Sequence, residues 1–191
     1  ANDGTFLRYY RHDKVVRSSI NSDNIGQILV DRAGLLWIGT WGEGLNRHNP
    51  TNNAFRTLRH SPYQPMSLSH SNISAILELD DSQLWVGNSR KGIDIIDPSI
   101  GVVDGLRTKD GGSGILPDEL VMALVQHTNS SVWVGTGDGL VHVNPATKET
   151  ASFTDADNLS NGSIRALHID SENILWIGTD VGLNRIDLAT N

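Results

Sequence analysis

Leu36-Trp37-Ile38-Gly39-Thr40 is the stretch on which the reading of this chain turns, because it is written four times. It returns as Leu84-Trp85-Val86-Gly87-Asn88, as Val132-Trp133-Val134-Gly135-Thr136 and as Leu175-Trp176-Ile177-Gly178-Thr179. The four tryptophans stand 48, 48 and 43 residues apart. Self-similarity at a period of about 40 to 50 residues marks a repeat architecture, in which each unit buries its apolar face against its neighbour.

Working outward, twelve positions before each Trp lies an aliphatic residue: Ile25, Ile73, Val121 or Ile164. Ile28, Ile76, Leu124 or Leu167 follows three residues on, with Gln27, Ala75, Ala123 or Ala166 between them. These short β-branched segments, bounded by Asn, Ser and Gly, predict an inner strand a. Its small residues suit a place where sheets converge. A polar turn rich in Asp, Asn and Ser leads to strand b, the Trp stretch, whose Gly leaves room for a neighbouring sheet. After Gly44, Gly92, Gly139 or Gly182 comes strand c, as in Leu45-Asn46-Arg47 and Ile93-Asp94-Ile95-Ile96. Strand d is marked by Phe55, Val103 and Phe153, after turns that contain Pro50, Pro98 and Pro145. Four short antiparallel strands per period predict an all-β fold, a β-propeller of four blade-like repeats. No run has the three-and-four apolar spacing of a helical solenoid.

The repeats divide one domain, 1–191, into a leading strand d with its crossing (1–19) and repeats at 20–67, 68–115, 116–158 and 159–191. Thr5–His12 resembles Ala54–His60, whereas the fourth repeat has no strand d of its own. The first strand is therefore expected to complete the last blade, its own or a neighbouring chain's, in a closed or dimer-completed ring.

The chain has 191 residues, 38% hydrophobic and 19% charged, with a net charge of -7. That balance argues against a nucleic-acid backbone as partner. No run of about 18 apolar residues predicts a membrane-embedded segment. With no cysteine there is neither disulfide nor thiolate metal site. Seven scattered histidines form no recognisable metal motif, and no nucleophile elbow or phosphate loop is present, so no catalytic residue, metal or cofactor is expected.

The composite pattern of Asn24-Ile25, Asp31, Leu36-Trp37-Ile38-Gly39-Thr40 and Gly44-Leu45-Asn46-Arg47, written again from Ser163 to Asp187, resembles the two-component regulator propeller repeat. That resemblance implies a periplasmic sensing region of a bacterial receptor with a histidine kinase or diguanylate cyclase output, of which this chain resembles a piece. The partners it implies are an unidentified small molecule or glycan, the remainder of the receptor chain and a second copy in a homodimer. Repeat two departs from the pattern with Leu79 where Asp31 and Asp170 stand, and repeat three with His127.

In a propeller the b–c turns and d–a crossings share one face, and there the repeats differ most. Trp41, Glu43, His70, Arg90, Lys91, Asp138 and Asp180 are the candidate ligand-binding residues. Trp41 is the one Trp off the ruler and suits a ligand anchor, or else lies on its own blade. The alternatives to a sensor are a lyase or hydrolase resembling the streptogramin lyases, gathering for example His70, Glu43 and His127, and a pure dimerisation scaffold. Asp31, Asp80 and Asp170 are read as hairpin caps.

Overall fold

The computed structural model describes residues 8–108, 116–127, 131–154 and 158–189. The first sheet holds β1 (Ile25–Val30), β2 (Leu36–Thr40), β3 (Gly44–Asn49) and β4 (Ala54–Leu58), paired in that order. The second holds β5 (Ile73–Glu78), β6 (Leu84–Asn88), β7 (Ile93–Asp97) and β8 (Gly101–Leu106). The third holds β9 (Val121–Gln126), β10 (Val132–Thr136), β11 (Gly139–Val143) and β12 (Thr150–Phe153). The fourth is three-stranded: β13 (Ile164–Ile169), β14 (Ile174–Thr179) and β15 (Gly182–Asp187). Within the four sheets every strand pairs antiparallel with its neighbour in sequence, so each sheet is a propeller blade with strand a innermost, as the repeat pattern predicts.

The core lies between the blades. One apolar cluster joins Trp37 and Leu45 of the first blade to Ile73, Ile76 and Val86 of the second. A second joins Trp85 and Ile95 to Val121, Val134 and Val143, and a third joins Trp133 and Leu140 to Ile164 and Ile177. At each junction the strand-a anchor of one blade enters a notch over the glycine of the blade before it. A Cβ on Gly39 would stand 2.6 Å from Cγ2 of Ile73, one on Gly87 2.6 Å from Cγ1 of Val121, and one on Gly135 2.6 Å from Cγ2 of Ile164.

A β-bulge makes this aim possible. In β5 the register runs Ile73↔Asn88 and then Ala75↔Gly87, leaving Ser74 unpaired, and the same slip recurs at the start of β1, β9 and β13. The extra residue takes the anchor out of the strand's alternation. Ala75 then keeps the notch small, its Cβ lying 3.2 Å from where a Cβ of Gly87 would stand.

Among the described residues the blades follow one another as an arc, so of the two expected arrangements the ring closed within one chain is not formed. Contacts between inner strands run from β1 to β5, β5 to β9 and β9 to β13. The arc's two outward faces stay open: Ile28 is 59% exposed at one end and Leu183 67% at the other. The expected completion of the fourth blade by Thr5–His12 falls partly on residues 1–7, outside the described residues. The described part of that segment lies instead on the first blade, where Tyr10 packs edge-on against His48 and Phe55. The repeat period carries no information on the angle between successive blades, which is what decides closure.

The notches separate otherwise equivalent glycines. Gly87→Ala drives a methyl group into Val121 and should cost about 1–3 kcal/mol by overpacking. Gly178→Ala meets Ala166 at an ordinary 3.6 Å and should be neutral or slightly stabilising. Urea unfolding of both variants measures this, and equal losses would refute the notch as the blade-to-blade lock.

Candidate ligand-binding faces

On the face of b–c turns and d–a crossings, a polar tie fixes where each crossing arrives. In the first blade Asn46, fully buried on β3, accepts from the Asn21 backbone N–H at 3.1 Å. In the second, Asp94 accepts from Ser69 N–H at 2.9 Å and is paired with Arg107 at 2.6 Å. In the fourth, Asn184 accepts from Ser160 N–H at 3.0 Å. The third blade has Val141 at the acceptor position and Pro117 at the donor position. Proline has no N–H to donate, so the acceptor is dispensable where the donor is missing.

The seven predicted residues sit on this face but do not form one site. His70, Arg90 and Lys91 come together on the second blade, where burial and then Arg90 hold the His70 imidazole below its usual pKa. His70 Nδ1 accepts from Asn72 N–H at 3.0 Å, and the Arg90 and Lys91 backbones donate to Asn88 Oδ1 at 3.1 and 2.6 Å. Glu43 is ion-paired with Arg59 at 3.3 Å. Asp180 is paired with Arg165 through two bonds of 2.5 and 2.7 Å, which hold its carboxyl below the usual range. Asp138 sits at the third turn, its N–H donating to Thr136 Oγ1 at 3.2 Å. Trp41 is half-exposed and lies over Gly26, its Nε1 3.1 Å from where a Cβ there would stand, so it packs on its own blade. His127, the third residue of the lyase reading, is at the opposite face, bonded through Nε2 to Asn173 Oδ1 at 2.7 Å. His70, Glu43 and His127 are therefore not gathered.

That opposite face, of a–b and c–d turns, is built around a clasp on the blade Trp. Asp31 accepts from Leu35 N–H at 2.8 Å with one oxygen and from Trp37 Nε1 at 2.7 Å with the other. Asp170 does the same for Ile174 N–H at 3.0 Å and Trp176 Nε1 at 2.6 Å. The capping role read from the sequence is thus half of what these two aspartates do. Asp80 stands one position out of register and bonds instead to Gln126 of the third blade at 3.0 Å. With Leu79 and His127 at the clasp position, the indole N–H groups of Trp85 and Trp133 are buried without a partner.

Between the second and third blades this face opens into a cleft of about 810 Å³. Leu79, Trp85, Ile95 and Val103 line it from one side, and Gln126, His142, Pro145 and Lys148 from the other. The sequence reading placed no site here. The signal was present in the departures at Leu79 and Ile95, which become one feature only when register sets them at the same junction.

Residues 19–42 and 158–181 match the two component regulator propeller family. No curated protein sequence matches the chain. Among solved structures, it superposes on the extracellular domain of the hybrid two component system BT3049 from B. thetaiotaomicron with a TM-score of 0.82 at 22% identity, covering 95% of this chain and 25% of that one. The extracellular domain of BT4673 from the same organism gives 0.74 at 21% identity, covering 88% and 23%. A virginiamycin B lyase from Staphylococcus aureus gives 0.61 at 13% identity, covering 86% and 55%. The chain spans about a quarter of the length of the first two, and at these identities the likeness establishes the propeller fold.

Two tests follow. Asn46→Val strands the buried Asn21 N–H and should cost about 2 kcal/mol in chemical unfolding, whereas Val141→Asn, facing Pro117, should gain nothing. A gain at Val141 would remove the argument that the tie needs its donor. For the clasp, hydrogen bonds from Trp176 Nε1 and then from the Ile174 backbone hold the Asp170 carboxyl below its usual pKa. A depressed folded pKa gives stability that is full above the unfolded value, about 3.9, and is lost as pH falls through the folded one. Asp170→Asn should therefore flatten the stability profile below about pH 4; an unchanged profile would count against the clasp.

Proposed function

We propose that this chain is a ligand-sensing segment of a bacterial signalling receptor, placed on the periplasmic side of the membrane and without catalytic activity of its own. The observation that carries the reading is the likeness of all four blades to the extracellular domain of a hybrid two component system over 95% of the chain, alongside the matched regulator repeats. The architecture suits it physically. The core is divided among the blade junctions, so a small molecule or glycan held across a junction has a differential grip on two blade arrangements, and differential affinity is what a signal requires. The remainder of a receptor chain and a second copy are the partners that would read such a change.

A lyase is the competing reading, supported by the virginiamycin B lyase fold neighbour. The separation of His70 and Glu43 from His127 weighs against it, because general acid–base work needs its groups within reach of one substrate. Thermal-shift screening of the chain against small molecules and oligosaccharides, followed by mass spectrometry of any hit, separates the readings. A hit that raises the melting temperature and is recovered chemically intact is the expected outcome. A hit consumed catalytically would replace the sensor reading with an enzyme. Ligand-independent dimers that cover the b–c face, with no hit, would replace it with a scaffold.

A further inference from the structure

The cleft between the second and third blades becomes interpretable when compared with the same junction one blade earlier. Across from each Trp on strand c sits one residue: Arg47 opposite Trp37, Ile95 opposite Trp85, His142 opposite Trp133 and Arg185 opposite Trp176. At the first junction Arg47 lies over the Trp37 ring at 5.6 Å, and its Nη1 crosses to the second blade to donate to the Pro98 carbonyl at 2.9 Å. The junction is thereby filled by a guanidinium on an apolar stem. At the next junction the corresponding residues are Ile95 and Pro145, and both line the cleft. Ile95 has no cation and too short a side chain to cross.

A second departure falls on the same spot. Asp31, which accepts from Trp37 Nε1, corresponds to Leu79, which also lines the cleft. The Trp85 indole N–H is left with no partner although the ring is 1% exposed. A buried donor without an acceptor is destabilising, so an oxygen brought to it is favoured. The junction thus lacks both groups of its predecessor, the cation that met the proline carbonyl and the oxygen that met the indole.

The charge of the cleft fits the same occupant. Asp80, Asp81 and Asp104 line it against a single lysine, Lys148, which is held by Asp104. Arg32 of the first blade reaches Asp80 at 3.8 Å, and Gln126 bonds to the same carboxylate. His142 lies against the Trp133 ring at 4.6 Å, and burial lowers its pKa, so it adds little positive charge at neutral pH. The volume is that of a small-molecule site, about 300–1,000 Å³ in general.

We propose that this cleft binds a guanidinium-bearing ligand of the arginine type, its cation taking the place of the Arg47 guanidinium beside the Pro145 carbonyl and its carbonyl or carboxylate oxygen accepting from Trp85 Nε1. A planar guanidinium meets a carbonyl and carboxylate rim with several directed donors, which an ammonium does not match. The inference stands on the cleft alone and survives or falls independently of the sensor reading.

The test is calorimetric titration of the folded chain with N-acetyl-arginine amide, and with the citrulline counterpart as an uncharged isostere. Saturable binding of the arginine probe, at least about tenfold tighter than the citrulline one, is expected. Ile95→Arg restores the first-blade residue and should abolish binding by filling the space in cis. As Ile95 is buried, two rim variants keep the proposal decidable if that protein does not fold. Asp104→Asn should weaken arginine binding several-fold. Lys148→Asn, tolerated by the left-handed backbone at φ 60°, should tighten it several-fold by releasing Asp104. Absence of saturable binding, equal binding of citrulline, or weaker binding by Lys148→Asn would each overturn the proposal.

Discussion

A β-branched side chain sitting where a Cβ would otherwise be is the constraint on which this structure depends. Ile73 over Gly39, Val121 over Gly87 and Ile164 over Gly135 set how closely each blade approaches the one before. The rest of the repeat serves that contact. The bulge at the head of strand a aims the anchor, and alanine two residues on keeps the notch narrow. Trp, two positions before the glycine, supplies the large apolar area that each junction buries. Since close-packed interiors do not deform continuously, the ruler of twelve residues from anchor to Trp has little freedom to drift. The anchor-to-Trp count stays fixed while the period shortens from 48 to 43 residues, so the change in length falls outside this segment.

A second layer of order is polar and works by matched pairs. Asn46 with Asn21, Asp94 with Ser69 and Asn184 with Ser160 are three solutions to one problem, the landing of a crossing over a buried strand. Val141 with Pro117 is the fourth, in which donor and acceptor are both removed. Removing both partners of a buried hydrogen bond is cheap, whereas removing one is costly. The repeats therefore vary in identity but not in balance. The clasp position breaks this rule. Leu79 and His127 replace the acceptor while Trp85 and Trp133 remain, which makes the middle of the arc the place where the repeat gave up local stability.

Periodicity made the blades legible, because anchors, Trp, Gly and the c–d prolines recur at fixed offsets and each offset has a steric reason. The same logic missed what depends on several repeats at once. Ring closure depends on the angle at which Ile73 seats over Gly39, summed over blades, and no offset encodes an angle. Asp80 reads as a hairpin cap with Asp31 and Asp170 although it stands one residue later, and that slip turns its carboxylate from the indole of its own blade to Gln126 of the next. The candidate ligand residues were chosen for variability on the turn face. Their chemistry is largely spent on neighbours, as Glu43 on Arg59 and Asp180 on Arg165.

What a repeat omits is more informative here than what it displays. Four seats opposite the blade tryptophans hold two arginines, a histidine and an isoleucine, and at the first and third blades the side chain explains what happens there. Arg47 bridges to Pro98, and His142 stacks on Trp133. Ile95 neither bridges nor stacks, and the clasp beside it is absent too, so one junction combines unfilled volume, an unpartnered donor and an acidic rim. A single departure in a repeat protein is absorbed by packing, as Val141 with Pro117 illustrates. Two departures that converge through register on one spot leave something over, and an arc of near-identical blades becomes locally specific at that spot without altering the lock that holds it together.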